Sequence, residues 1–156
     1  MERTLILCKP DAVQRRLVGR IISRFEDKGL RLAGMKLLRV SEALARRMYA
    51  EHEGKDFYEP LVAFITASPV VAMVLEGMGA VANGRTLLGA TFGPDAAPGT
   101  IRGDFGASRR YNLVHGSDSP ASAAREIAVF FREDELVDYQ TVDEQWIYAR
   151  SGEELI

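Results

Sequence analysis

Cysteine is nearly missing from this chain of 156 residues. Cys8 stands alone, so no internal disulfide and no cysteine-rich zinc site can be built. Lying in the apolar run Thr4-Leu5-Ile6-Leu7-Cys8, it reads as a small buried hydrophobe rather than a nucleophile. Histidine is almost as scarce, and its chemistry is confined to His52 and His115. No stretch approaches the roughly eighteen consecutive apolar residues that a membrane-spanning helix needs, and Met1-Glu2-Arg3-Thr4-Leu5 does not lead a basic segment into a long apolar run. The sequence therefore reads as soluble, unsecreted and cytoplasmic, without a membrane partner. Repeats and low-complexity segments are also missing.

What is present fits one globular domain: 47% of residues are hydrophobic and 27% charged. The net charge of −2 hides an asymmetry, with 18 Lys and Arg against 13 Asp and Glu over residues 1–125, and 2 against 9 over residues 126–156. A cationic body suits an anionic ligand. Scattered solvated arginines on helix faces are the preferred reading for most of these charges, sixteen of the twenty cations being Arg. Aromatics are not interleaved with the basic residues and the isoelectric point is about 5.8, so no specific nucleic-acid partner is expected.

Periodicity and punctuation give the element order. Arg3 to Cys8 reads as a strand, and Val18, Ile21, Ile22 and Phe25 make an amphipathic helix closed by Gly29. Leu30 to Val40 reads as a strand, Ser41 caps a helix to about Glu53, and Pro60 opens a short helix through Ile65. Val70 to Leu75 is a buried strand and Val81 to Ala90 a helix. A last strand ends at His115, and Ser119-Pro120 starts a helix through Phe131. The economical arrangement is an α+β sandwich of about four strands with helices on one face. From Thr91 to Tyr111 no period is sustained, but Ile101 and Phe105 interleaved with Arg102 and Asp104 favour an ordered, functional loop over a disordered one.

Two nucleotide-binding patterns nearly match. Gly84-Arg85-Thr86-Leu87-Leu88-Gly89-Ala90-Thr91 has the glycine spacing of a P-loop, but Ala90 stands where the phosphate-binding Lys must be. Gly77-Met78-Gly79-Ala80-Val81-Ala82 resembles a dinucleotide fingerprint, with Asp95 eighteen residues on in the loop rather than at a strand end, and stays as an alternative. Arg102-Gly103-Asp104 matches an adhesion tripeptide by coincidence.

Asn112-Leu113-Val114-His115-Gly116-Ser117-Asp118 is the richest segment, a histidine where a strand opens into a helix. From the residues alone, His115 serves as nucleophile, base or ligand. For phosphate chemistry the cations at element ends are Lys9, Arg85 and Arg102, with Thr91 beside them. Arginine grips phosphate oxygens with paired bonds and lysine acts as a point charge. Histidine as a residue type titrates at about 6.5 and so offers a neutral ring nitrogen at neutral pH. Glu126, on the following helix, is placed to orient the ring. His52, between two acids, reads as structural or solvated.

The chain resembles a nucleoside diphosphate kinase along nearly its whole length. The resemblance is carried by Lys9-Pro10-Asp11-Ala12-Val13, by Pro98-Gly99-Thr100-Ile101-Arg102-Gly103-Asp104-Phe105, and by Asn112-x-x-His115-Gly116-Ser117-Asp118. It implies a ferredoxin-like βαββαβ domain with a four-stranded antiparallel sheet over residues 1–156, residues 137–156 forming a C-terminal tail. It further implies ping-pong transfer of the γ-phosphate of a nucleoside triphosphate to a diphosphate, through a phosphohistidine on Nδ1 of His115, with broad base specificity.

Position by position, the resemblance implies that Lys9 contacts sugar hydroxyls and phosphates, and that Arg85, Thr91 and Arg102 bind phosphates. Asn112 would bond the ribose 3′-hydroxyl and Phe57 would stack on the base, which tolerates any base because every base has a π-face. Glu126 orients His115, Ser117 supports it and Tyr49 packs beside it. Mg²⁺ arrives with the nucleotide, and Asp118 reaches it only through water. One departure concerns Thr91-Phe92-Gly93-Pro94, where the proline stands one position from its usual place and leaves the loop's path and the subunit contact open. Trp146-Ile147-Tyr148 resembles the ending of hexameric relatives, so a homo-hexamer is expected first and a tetramer second.

Two further readings are separable by experiment. A nucleotide-sensing module predicts tight binding without transfer, and a nucleic-acid binder predicts steep salt dependence.

Overall fold

The structure is a computed structural model that describes residues 1–152 and 154–156. Its centre is a four-stranded antiparallel sheet in the order β2-β3-β1-β4, built from β1 (Glu2–Cys8), β2 (Arg31–Leu38), β3 (Val70–Gly77) and β4 (Val114–Gly116). Helices α1 (Pro10–Gln14) and α2 (Val18–Asp27) join β1 to β2, and α3 (Glu42–Met48) and α4 (Tyr58–Thr66) join β2 to β3. Then come α5 (Ala80–Leu88), the short α6 (Ile101–Phe105) inside the long loop, and α7 (Pro120–Phe130) after β4. This is the expected α+β, βαββαβ arrangement.

The expectation of helices on one face does not hold, because both faces are covered. Leu5, Leu7, Ala72 and Val74 pack with Ala45, Met48, Val62, Ile65 and Phe130 from α3, α4 and α7. Ile6, Cys8, Met73 and Leu75 pack on the other side with Ala12, Ile21, Phe25, Ala80 and Leu88 from α1, α2 and α5. The clue lay in the unbroken apolar runs of β1 and β3, since a strand buried on both faces does not alternate.

Local chemistry explains the ends. Ser41 Oγ accepts from Leu44 N at 3.2 Å to start α3. Ser119 and Ser122 form a reciprocal capping box with Pro120 at the first helical position of α7. The helix expected from Ser41 to Glu53 breaks after Met48 and resumes as a 3₁₀ turn over Ala50–His52, a break that α3 and α4 need to fold back on each other. Helix α1 escapes a reading by period because five residues are too few to show one.

The long loop is ordered. Thr100 Oγ1 caps Gly103 N at 3.0 Å, Asp104 bridges Gly99 N and Arg24 at 2.8 Å each, and Arg15 donates to Phe105 O at 2.7 Å. Gly93, in the departing segment, is buried against Gly106, and a Cβ there would stand 2.1 Å from Gly106 O. Because that neighbour is backbone, Gly93→Ala is expected to cost about 1–3 kcal/mol, read as a lowered urea midpoint. A midpoint equal to the parent's would show that the loop yields freely.

The tail behaves in two ways. Ile147 packs against Gly29, and the Tyr148 hydroxyl donates to Gly29 O at 3.1 Å while accepting from Met78 N at 3.3 Å. Trp146, by contrast, is 85% exposed. Among the described residues no helix is long and apolar enough to cross a membrane.

Candidate active site

A cavity of about 730 Å³ lies at the β4 edge of the sheet, and the residues singled out in the sequence converge on it. Lys9, Tyr49, Phe57, Arg85, Thr91, Arg102, Asn112 and His115 all line its wall. Glu126 stands behind the histidine and is hydrogen-bonded to it, and Ser117 is hydrogen-bonded to Glu126.

Strand alternation aims the histidine. Leu7 is opposite His115 in the ladder and Cys8 opposite Val114. Leu7 belongs to the core under α3, α4 and α7, and Val114 to the core under α5, so His115 faces α7. Gly116 turns to the α5 side, where a Cβ would meet Leu88 at 2.7 Å. The His115 Nε2 lies 3.0 Å from Glu126 Oε2, and Ser117 Oγ donates to the same oxygen at 2.6 Å.

An ionised carboxylate only accepts, so Nε2 carries the proton. In the neutral ring Nδ1 is then the nitrogen with the lone pair, and it has no hydrogen-bond partner among the described residues. Burial alone would raise the Glu126 carboxyl, but its bonds to His115 and Ser117 and the charge of Arg125 outweigh burial and hold it below the ordinary range. With the folded value below the unfolded one, this carboxylate stabilises the fold above the ordinary carboxyl range and stops doing so as pH falls through the folded value.

The cations hold one another apart and are pinned by neutral groups. Lys9 Nζ donates to Asn112 Oδ1 at 2.7 Å, and Asn112 Nδ2 donates to Thr91 O at 3.0 Å, tying the departing loop to the cavity floor. Arg102 is 3% exposed; its guanidinium donates to Asn112 O at 3.1 Å, Gly89 O at 3.0 Å and Val114 O at 2.7 Å. That burial also disposes of the adhesion tripeptide. Burial, with Arg102 adding like-charge repulsion against the pull of Asp11, pushes the Lys9 ammonium down to about 8. Burial and then Arg85 push the Arg102 guanidinium down to about 10. Lys9, Arg85, Arg102, Arg109 and Arg110 line the cavity against the single carboxylate of Asp56, a balance that suits an anion.

Other residues were missed. His52 is half-buried and lines the cavity between Tyr49 and Phe57, with ring centroids 6.3 and 5.3 Å away and Lys55 Nζ 3.1 Å from its Nδ1. The residue expected to be structural or solvated is brought to the cavity wall by the 3₁₀ turn after α3. Arg109 and Arg110 also line the cavity, Arg109 stacked over Phe92 at 5.0 Å and paired with Asp95 at 3.0 Å. Nothing in their spacing marks them. The Tyr49 hydroxyl is buried and unpartnered among the described residues, and burial followed by the charge of Glu126 pushes its pKa up.

Both alternative nucleotide patterns fail. Gly84 sits inside α5 and Gly89 ends that helix, so there is no strand-loop-helix P-loop. Gly77 to Ala82 joins β3 to α5 in a sheet whose neighbouring strands are all antiparallel, and Glu2 Oε2 already accepts from Val81 N at 2.9 Å at the helix start.

The model of the family described as nucleoside diphosphate kinase matches residues 2–136. The chain belongs to the nucleoside diphosphate kinase family. It is 58% identical over 147 residues to a nucleoside diphosphate kinase of Desulfitobacterium hafniense, which covers 94% of this chain and 99% of that one. It is 55% identical over 148 residues to one of Pelotomaculum thermopropionicum, covering 95% and 99%. Among solved structures, a halophilic nucleoside diphosphate kinase of Halobacterium salinarum in complex with CDP superposes with a TM-score of 0.92 at 52% identity, covering 94% and 98%. A family protein of Babesia bovis also gives 0.92, at 44% identity, covering 95% and 100%. The chain is thus an enzyme of the nucleoside diphosphate kinase class, a phosphotransferase acting on nucleotides.

Proposed function

We propose that this kinase works by a ping-pong cycle through a phosphohistidine on His115, with broad base specificity. The observation that carries the reading is the Glu126–His115 bond, which takes up the Nε2 proton and makes Nδ1 the lone-pair nitrogen of the neutral ring, in a cavity that Lys9, Arg85 and Arg102 also line. In the first half-reaction the Nδ1 lone pair forms the N–P bond as the bond from the γ-phosphorus to the bridging oxygen breaks. The electron pair leaves on the nucleoside diphosphate. The second half-reaction reverses this with another diphosphate as acceptor. Most of the catalysis is positioning and charge stabilisation on the transferred oxygens.

Lys9, Arg85, Thr91 and Arg102 supply those charges and donors, and Asn112 holds the ribose. Phe57, half-exposed at the cavity rim, stacks on the base. Ser117 shares the Glu126 oxygen with the ring, and Tyr49 walls the histidine. Mg²⁺ belongs to the bound nucleotide. The Asp118 carboxylate is exposed and its bond to Ser122 holds its pKa below the ordinary range, so an ionised hard oxygen suited to the ion's waters stands there. The reading extends to residues 1–156 as one domain with 137–156 as its tail, to a cytoplasmic setting, and to a homo-oligomer, hexamer before tetramer. The exposed Trp146 and Val142 support the last of these.

Incubation with γ-labelled ATP is expected to give an acid-labile, alkali-stable phosphoprotein that any nucleoside diphosphate discharges. Absence of label, or label that diphosphates leave in place, overturns the reading. A second expectation concerns pH. Lys9 loses its charge above about pH 8 in the folded protein, against 10.5 in an unfolded chain. Nucleotide KM is therefore expected to rise several-fold between about pH 7.5 and 9. A flat KM across that window removes Lys9 from phosphate binding.

A further inference from the structure

Leu113 is a non-glycine residue at φ +68°, a backbone region that side chains with a Cβ adopt rarely. Val114 N donates to Asn112 O at 2.7 Å, so Asn112-Leu113-Val114 forms a three-residue γ-turn with Leu113 at its strained centre. The turn ends where the histidine begins, since Val114 and His115 open β4. It also separates two residues with different duties. Asn112, whose amide meets Lys9 and Thr91, lies on one side, and His115, whose ring meets Glu126, lies on the other.

A strained turn persists only where its surroundings hold it. Both peptide groups of Leu113 are held from one segment. Lys9 N donates to Leu113 O at 2.8 Å, and Asp11 Oδ2 accepts from Leu113 N at 3.0 Å. The Leu113 side chain is fully buried under α5 and so cannot swing out to relax the turn. Asp11 Oδ1 is buried and has no partner among the described residues. Helix α1 does not require this costly placement, because a solvent-facing acid in its first turn would serve its N-terminus equally.

We propose that Asp11 is a positioning residue for phosphoryl transfer, its carboxylate clamping the Leu113 amide so that the γ-turn sets the direction in which His115 leaves the strand end. The inference rests on the phosphohistidine reading. Glu126 fixes the ring by its Nε2 edge, and Asp11 fixes the backbone that carries it, from the opposite end of the chain. With the clamp gone, Leu113 has a buried unpaired N–H and relaxes toward negative φ, carrying Asn112 and His115 with it. An ångström of misplacement at a reacting nitrogen costs roughly a hundredfold in rate.

The test is single-turnover phosphorylation by γ-labelled ATP at saturating concentration, with rates normalised to sites that become labelled. Asp11→Asn keeps an acceptor for Leu113 N without the charge, and is expected to stay within about threefold of the parent. Asp11→Ala, which removes the acceptor, and Asp11→Glu, which keeps the charge but overreaches by a methylene, are expected to slow roughly 10- to 100-fold. Equal slowing in Asp11→Asn overturns the inference, because charge rather than the clamp would then matter. So does Asp11→Glu at the parent rate, or Asp11→Ala that loses only thermal stability while its labelled sites react normally. Should Asp11→Ala fail to fold, the Asn and Glu variants decide. An unlabelled parent protein would sink the phosphohistidine reading itself, an outcome separate from all of these.

Discussion

His115→Ala is expected to lower phosphate transfer by on the order of 10⁴-fold or more and to abolish the acid-labile label, while the fold survives. The size follows from the step removed. A positioned nucleophile divides one difficult displacement into two, and the other imidazole of the cavity has its lone pair engaged. His52 is the nearest competitor by type, but its Nδ1 lies 3.1 Å from the Lys55 ammonium, which occupies the lone pair. The fold should survive because the ring is a surface of the cavity rather than of the core, and Glu126 keeps Ser117 as a donor. The Glu126 carboxyl should titrate higher in the variant, having lost the larger of its stabilising partners. Retention of more than a hundredth of the parent's turnover would move the nucleophile elsewhere.

Arg102→Met is expected to destabilise the protein by about 3–5 kcal/mol, as well as to impair transfer. The guanidinium ties Asn112 O, Gly89 O and Val114 O together. Those carbonyls come from the end of α5 and from the γ-turn, two segments that have no backbone ladder between them. Methionine has similar bulk and donates nothing, so Gly89 O and Val114 O lose the guanidinium outright and Asn112 O keeps only Val114 N. For a chain of this size the loss corresponds to roughly a 10 °C fall in melting temperature. Arg102→Lys should recover less than half of it, since an ammonium cannot span three divergent acceptors. Stability within about 1 kcal/mol of the parent would show that the carbonyls find other donors.

Arg102 shows where sequence reasoning stops. As a cation inside a glycine-rich loop it is legible as a phosphate ligand, and it does line the cavity. That most of its donors serve backbone carbonyls could not be read, because the acceptors lie 10 to 13 positions away along the chain. His52 shows a different limit. Its acidic neighbours describe its immediate surroundings, whereas its inward turn depends on the break between α3 and α4, which is imposed by packing of one helix on the other. The two-faced sheet was legible in principle from the unbroken runs Leu5-Ile6-Leu7-Cys8 and Val70 to Leu75.

The sequence by itself determined the four strands, the longer helices and the family, and it offered the candidates for the site. Each depends on residue type at a spacing, whether a period of two or 3.6, a cap, or a motif. The tertiary structure alone decided which ring nitrogen of His115 is free, how far Lys9 and Arg102 are desolvated, and what holds Leu113 in its strained turn. Those are properties of groups brought within 3 Å from distant parts of the chain, and local pattern cannot encode a distance that only folding creates.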